Sequence, residues 1–391
     1  MEEFPESRVP ASASLLDLSK EALQQHLVEW GEPRFRAEQV WAGLYRRLAA
    51  GAEDMSDLPK SLRDRLAAEV VWEPLIPLAR LTSKDGQTRK VLFALPDGAQ
   101  VEAVLLHYPR RHTVCVSTQA GCVMGCPFCA TGQGGFERNL TAGEIVAQVL
   151  FYARQMAAAG QRVTNVVFMG MGEPLANYDA TWSAIRRLND ATGFGLSARA
   201  MTLSTVGLAP GIVRMAGEPE QVGLGISLHA ATDELRDRLV PINRRFPLAQ
   251  LMDACRHYIH QTHRRVTFEY ALIAGVNDSD PHAHQLAGLL GGLLAQVNLI
   301  PLNPTRDAAH LPSPHERVHA FQRILQSHDI AATLRLRRGI DIQAGCGQLR
   351  LRQRGAAPEQ RTGLGQIDGI DPLAPPCEDR GLSKIGDYRR A

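Results

Sequence analysis

The chain has no run of about 18 apolar residues, the length that marks a membrane-spanning helix. Its most apolar stretch, Leu286 to Ile300, is interrupted by Gly291, Gly292, Gln296 and Asn298. The first residues, MEEFPESR, are acidic and hold no hydrophobic signal core, so a cytoplasmic protein with no membrane partner is expected. Cysteine is scarce: seven in 391 residues are too few for a secreted disulfide scaffold. Excess charge is lacking too. A net charge of +2 neither demands nor excludes a nucleic-acid partner, which leaves local clusters to decide. What remains is an ordinary globular composition, 45% hydrophobic, at a length that suits two or three domains or one barrel with additions.

Three of the seven cysteines crowd together. Cys122, Cys126 and Cys129 fall within the run AGCVMGCPFCATGQGGF. A Cys-x3-Cys-x2-Cys set supplies three soft ligands and no fourth nearby, whereas structural zinc favours four ligands in paired spacings. Thiolates are the usual ligands of iron–sulfur clusters, and a 4Fe-4S cluster held by three of them keeps one iron open to a small molecule. Gly121, Gly125 and Pro127 argue for a loop folded around such a cluster and against a helix. The competing readings are buried free thiols or part of a zinc site.

The rest of the chain divides by its periodicity. Residues 1–12 read as a disordered lead and 13–75 as a helical domain: Ser19 caps a helix carrying Leu23, Leu27 and Trp30, Pro33 opens a second with Val40, Trp41, Leu44 and Leu48, and Pro59 opens a third with Leu62, Leu66 and Val70. Residues 76–110 change period, with apolar strands flanking the hairpin signal Asp97-Gly98. Glu102 lies within one of these strands, where pattern alone places it on a solvent-facing position. From 111 to 352 strands and helices alternate. The expected strands are Thr113–Ser117, Asn165–Met169, Ala200–Ser204, Val222–Ser227, Val266–Tyr270, Val297–Pro301 and Ala332–Leu336, with helices such as Ala142–Met156 and Pro281–Gln296 between them. Repeated βα units imply a parallel sheet, open or closed as a barrel. Residues 353–391 lose all periodicity and read as a disordered tail.

In such barrels chemistry gathers at the C-terminal strand ends. The cysteine loop follows the first strand, Gly170-Met171-Gly172-Glu173-Pro174 the second, Ser204 ends the third, Ser227-Leu228-His229 the fourth, and Asn303 follows VNLIP. Singly, each is more often a turn or a helix cap, and Glu173 before Pro174 has that simple reading. Together they form the rim of a binding site. Cys115 just before the cluster loop reads as a buried strand residue, and Cys346 in Gly345-Cys346-Gly347 as a thiol on a flexible loop; Cys255 and Cys377 receive no role.

The three-cysteine motif, with an aromatic residue before its last cysteine, resembles that of the radical S-adenosylmethionine (SAM) superfamily, and Glu-Pro in GMGEP matches that superfamily's second motif. The blocks CVSTQAGC, CPFCATGQGGFERNL, MGMGEPLANYD, STVGL, GISLHA, PINRR, NLIPLNP and GIDIQAGCGQL run in order between Glu102 and Leu349. They resemble the RlmN/Cfr family of RNA adenine methyltransferases, more closely its RlmN branch. Gly345 stands where that family often has alanine, and the C-terminal tail lies beyond the resemblance. The implied fold is α/β: a radical SAM partial (β/α) barrel, a helical accessory domain before it and a small β hairpin linker between them.

The resemblance also implies roles. Cys122, Cys126 and Cys129 would hold a 4Fe-4S cluster whose open iron takes the amino and carboxylate groups of SAM. Gly172 and Glu173 would meet the methionine amine, Ser204, Ser227, Leu228, His229 and Asn303 would complete the pocket, and Phe128 would pack near the adenine. Cys346 would take a methyl group from one SAM. A radical made from a second SAM would remove hydrogen from that methyl, and the resulting carbon radical would add to adenine. Cys115 would then resolve the protein–RNA adduct by a disulfide with Cys346. Glu102 matches the family's proton acceptor, against its pattern reading. The implied partners are 23S rRNA, tRNA and an electron donor such as flavodoxin or ferredoxin, with the enzyme a monomer. Arg34, Arg36, Arg46, Arg47, Arg110, Arg111, Arg244, Arg245, Arg335, Arg337 and Arg338 are candidates to track phosphates. Cfr-type methylation at carbon 8 is the alternative within the family, against which NLIPLNP with Pro304 weighs. GCGQL opposes a radical SAM enzyme without RNA methylation, and GMGEP and SLHA oppose a plain iron–sulfur RNA-binding or redox-sensing protein.

Overall fold

The computed structural model describes residues 14–303, 310–335, 338–345 and 347–349. The expected lead and tail, and Cys346, Cys377, Pro304, Leu336 and Arg337, lie outside the described residues.

Three helices come first: α1 (Lys20–Glu29), α2 (Phe35–Tyr45) and α3 (Lys60–Glu69). Ser19 caps α1 as its sequence implies, its hydroxyl accepting from the Ala22 N–H. Leu23, Leu27, Val40, Trp41, Leu44, Leu62 and Leu66 are buried together, each such side chain contributing about 2 kcal/mol. The lead into α1 docks on the barrel. Asp17 accepts from the Gly143 N–H, and Arg187 donates to the carbonyls of Asp17 and Leu18.

Strands follow: β1 (Ile76–Thr82), β2 (Thr88–Ala94), β3 (Gln100–Tyr108), β4 (Arg111–Cys115) and the short β5 (Gln119–Gly121). Then come α4 (Ala130–Gln133), β6 (Phe136–Asn139), α5 (Ala142–Ala158), β7 (Asn165–Phe168), α6 (Tyr178–Asn189), β8 (Met201–Thr205), α7 (Ala209–Ala216), β9 (Gly223–Ser227), α8 (Asp233–Leu239) and α9 (Leu248–Thr262). The last are β10 (Val266–Leu272), α10 (Asp280–Leu290), β11 (Ala295–Pro301), α11 (His315–Ser327) and β12 (Ala332–Leu334).

Seven parallel strands, β4-β7-β8-β9-β10-β11-β12, lie side by side in chain order, with helices crossing between most of them. This is a partial barrel: its first strand pairs with β3 instead of closing on β12. Strands β1, β2 and β3 therefore do more than link. They extend the barrel sheet by three antiparallel strands and make one sheet of ten.

Two expectations need correction. The helix expected over Pro281–Gln296 stops at Leu290, because Gly291 and Gly292 (φ +75°) turn the chain and Ala295 and Gln296 pair with β10. Glu102 does not face solvent. Its neighbours on β3, Val101 and Ala103, are also buried, so the strand is covered on both faces and alternation no longer marks an outside.

Candidate functional site

The cysteine loop leaves β5 without forming a helix. Gly121 has φ +78°, and a Cβ there would lie 2.1 Å from the Gly135 carbonyl oxygen, so only glycine fits. The Cys122 N–H donates to that same carbonyl (2.8 Å), and Cys129 sits at the N-terminus of α4. Cys122, Cys126 and Cys129 all line one cavity of about 1040 Å³, its open mouth included. Burial pushes the Cys122 thiol up to about 12 and the Cys126 thiol higher still, and the nearby thiols reinforce both shifts. Such thiols become thiolates when cationic metal is bound. Among the described residues no three His, Cys, Asp or Glu side chains close around a single ion. The donor set fits a larger iron–sulfur cluster, which spreads its ligands, better than zinc.

The strand ends face the thiols across the cavity. A Cβ on Gly170 would lie 2.6 Å from the Val116 carbonyl oxygen, and one on Gly172 (φ +98°) 2.5 Å from Gln119 Cβ, so these glycines let the second loop lie directly on the first. Glu173 is both a cap and a wall. One carboxylate oxygen accepts from the Leu175 N–H (3.0 Å) and the other from the Val206 N–H (2.8 Å), while the side chain lines the cavity. Burial raises its pKa to about 7 against the opposing pull of those hydrogen bonds, and a ligand ammonium placed beside it would favour the ionised carboxylate. Ser204 and Ser227, 3.4 Å apart through their hydroxyls, and Asn303 line the same space.

His229 adopts φ +61° and presents its ring to the cavity at 4.9 Å, edge to face, from Phe128. Its Nδ1 accepts the Ala271 N–H (3.0 Å), which leaves the ring proton on Nε2. Burial, with the nearby Arg236 charge, pushes its pKa down to about 3, so it is a neutral donor. Leu228 is fully buried and does not line the cavity; its N–H donates to the Glu269 carbonyl.

Two braces carried no motif and were missed in the sequence. Arg236 is fully buried and donates to the carbonyls of Val206, Ser227 and Leu228, joining two strand ends. Asn277 is equally buried. It accepts from Ile273 N–H (2.7 Å) and donates to the carbonyls of His229 (2.8 Å) and Ala271 (2.7 Å). Asn277→Ala leaves those backbone groups unpaired and is expected to cost about 3 kcal/mol, measured as a drop in the urea midpoint.

A second group of candidate residues lies on the sheet. Cys115 ends β4 opposite Val104 and packs on the small cluster of Val104, Met171 and Leu349, as does Ala344. Glu102, 3% exposed, places Oε1 3.1 Å from Lys90 Nζ. Segment 338–349 spans both groups. On one side Arg338 donates to the His107 carbonyl, Asp341 accepts from the Lys84 N–H, and the Gln343 carbonyl accepts from Lys90. On the other, the Gly347 and Leu349 carbonyls accept from the Ala130 N–H (2.8 Å) and the Thr131 hydroxyl (2.7 Å), at the end of the cysteine loop. Cys346 falls between these two sets of anchors in the sequence.

The candidate phosphate contacts divide. Arg34, Arg46, Arg110, Arg111, Arg244 and Arg245 are exposed. Arg36 and Arg47 are paired with Glu32 and Asp57, and Arg335 lines the cavity 3.5 Å from Glu269.

Comparison with known proteins agrees with this layout. Residues 116–287 match the radical SAM superfamily, and residues 13–71 match the ribosomal RNA large subunit methyltransferase N-terminal domain. A probable dual-specificity RNA methyltransferase RlmN of Chloroflexus aurantiacus is 52% identical over 346 residues, covering 86% of this chain and 92% of that protein. The dual-specificity RNA methyltransferase RlmN 1 of Myxococcus xanthus is 49% identical, covering 87% and 94%. A crystal structure of a radical SAM methyltransferase from Sphaerobacter thermophilus superposes with a TM-score of 0.85 at 52% identity, covering 86% of this chain and 99% of that one. A radical SAM barrel, the matching N-terminal domain and relatives of this identity across nearly their whole length lead to one conclusion: the chain belongs to the RlmN family of radical SAM RNA methyltransferases.

Proposed function

We propose that this chain methylates carbon 2 of a specific adenosine in 23S rRNA, and of an adenosine in the tRNA anticodon loop, with Cys346 as the carrier of the methyl carbon. The observation that supports this reading best is the double anchoring of segment 338–349, to the Lys90–Glu102 face on one side and to the cysteine loop on the other. The described residues that flank Cys346 in the sequence are thus tied both to the loop where a radical would be made and to the face where a proton would be handled.

Cys122, Cys126 and Cys129 would hold a 4Fe-4S cluster, which with SAM would supply the radical chemistry directed at the methyl group carried by Cys346. The protein's own groups do the rest. Glu173 meets the methionine ammonium in a charge-assisted contact. Ser204, Ser227, neutral His229 and Asn303 hold the remaining polar groups of SAM, and Phe128 covers its adenine. Glu102 accepts the proton lost from the substrate carbon, and Cys115 forms the disulfide with Cys346 that frees the product. Two SAM molecules are used per turnover. The target base is flipped out of folded RNA to reach this depth, with the exposed arginines tracking phosphates. A cytoplasmic monomer served by a flavodoxin- or ferredoxin-class donor completes the reading.

The test is mass spectrometry of nucleosides from 23S rRNA and tRNA of a deletion strain, with and without the restored gene. Loss of 2-methyladenosine, regained with the wild-type gene and not with Cys346→Ala, is expected. Loss of 8-methyladenosine instead would move the assignment to carbon 8, and unchanged 2-methyladenosine would reject it.

A further inference from the structure

Lys90 is almost fully buried, and nothing in its strand pattern explains an ammonium there. The hairpin register sets Lys90 opposite Val104 and Leu92 opposite Glu102, so Lys90 and Glu102 are diagonal neighbours on one face of the sheet. Their side chains are 5% and 4% exposed. Burying an ion pair gives little net stability over apolar residues of the same size, so stability alone does not account for this one. Lys90 also does a second thing. Its Nζ donates to the Gln343 carbonyl at 3.0 Å, three residues before Cys346, at a position with φ +52°. Close by, Gly339 fits against Thr88 so tightly that a Cβ would lie 2.7 Å from Thr88 Cγ2.

We infer that Lys90 is a positioning residue for methyl transfer, holding the Glu102 carboxylate and the Cys346-bearing segment in fixed relation by binding both. This inference rests on the reading of Glu102 as the proton acceptor. A carboxylate serves as a base only when ionised, and an adjacent ammonium favours that form. Among the described residues, Cys115 lies beside this face on β4, opposite Val104, and Tyr152 on α5 lies behind the sheet with its hydroxyl on the Ala103 carbonyl. Lys90 is the cation that contacts the carboxylate from β2.

The experiment uses full-length enzyme reconstituted with iron and sulfide, an in vitro rRNA fragment, and Lys90→Met, Lys90→Arg and Glu102→Gln variants. Lys90→Met is expected to keep wild-type iron content and SAM cleavage, to lose about tenfold in RNA methylation, and to accumulate covalent protein–RNA adduct. The acid limb of its pH–rate profile should move up by about one unit, because the carboxyl loses the Lys90 ammonium that favours its ionised form. Lys90→Arg should return the limb to its original place. If Lys90→Met fails to load iron, Lys90→Gln, which keeps a donor without the charge, must show the same shift. An unmoved acid limb in a neutral variant, or a limb that Arg does not restore, overturns the role of Lys90. Wild-type turnover in Glu102→Gln overturns instead the reading of Glu102 on which it rests.

Discussion

Cys126→Ala is expected to give a folded, colourless protein that cleaves no SAM and methylates no RNA. Cys126 is the most enclosed of the three thiols, buried against Phe128, Leu239 and neighbours in a small apolar cluster. Exchanging its sulfur for hydrogen removes little apolar volume, so about 1 kcal/mol of stability is at stake. The effect on chemistry is of another order. With two thiols left, the cluster loses a third of its protein ligands, and its remaining neighbours are apolar or already engaged. Iron and sulfide analysis after anaerobic reconstitution, beside a thermal melt, separates the two effects. A Cys126→Ala protein with full iron and activity would sink the cluster assignment, as would wild-type protein that takes up zinc and no iron.

Cys115→Ala is expected to stop the reaction at a different stage, with RNA bonded to the enzyme. Cys115 and Ala344 both pack on the small cluster of Val104, Met171 and Leu349, so residues on either side of Cys346 in the sequence share that cluster with Cys115, which borders the face that carries Glu102. On the proposed mechanism, removing this thiol would leave SAM cleavage and methyl loading untouched. It would take away the group that closes a disulfide with Cys346, so the adduct would have no exit. Protein should therefore migrate as a larger species on denaturing gels, collapsing to normal size after ribonuclease treatment, with turnover reduced to at most one event. Multiple turnover by Cys115→Ala without any adduct would remove Cys115 from the mechanism.

Much of this site was legible because its residues announce themselves locally. Three thiols in a glycine-rich run, and polar residues just after apolar strands, need no knowledge of tertiary contacts. The strands themselves appeared within a residue or two for the same reason, since buried parallel strands read as apolar runs. What stayed hidden depends on pairing. Glu102 looked like a surface residue because alternation assumes one wet face, and this strand has none. Lys90 was recoverable in principle: Asp97-Gly98 fixes a hairpin register that places it diagonal to Glu102, two opposite charges on one face of the hairpin. Arg236 and Asn277 were not recoverable. Apart from the Asn243 side chain that accepts from Arg236, their partners are main-chain groups, several of them at the ends of other strands, and no side-chain pattern records those.

The anchors of segment 338–349 have a practical corollary. Around Cys346 it is the carbonyls of Gln343, Gly347 and Leu349 that receive hydrogen bonds, while the side chains of Arg338 and Asp341 anchor the start of the segment. Substitutions that keep those carbonyls in place are expected to be tolerated only where the side chain itself makes no contact. Gly339 has no room for a side chain beside Thr88, and neither has Gly345. A methyl there would meet the Asn303 amide nitrogen at 2.6 Å, which couples any change at that one residue directly to the cofactor side of the cavity.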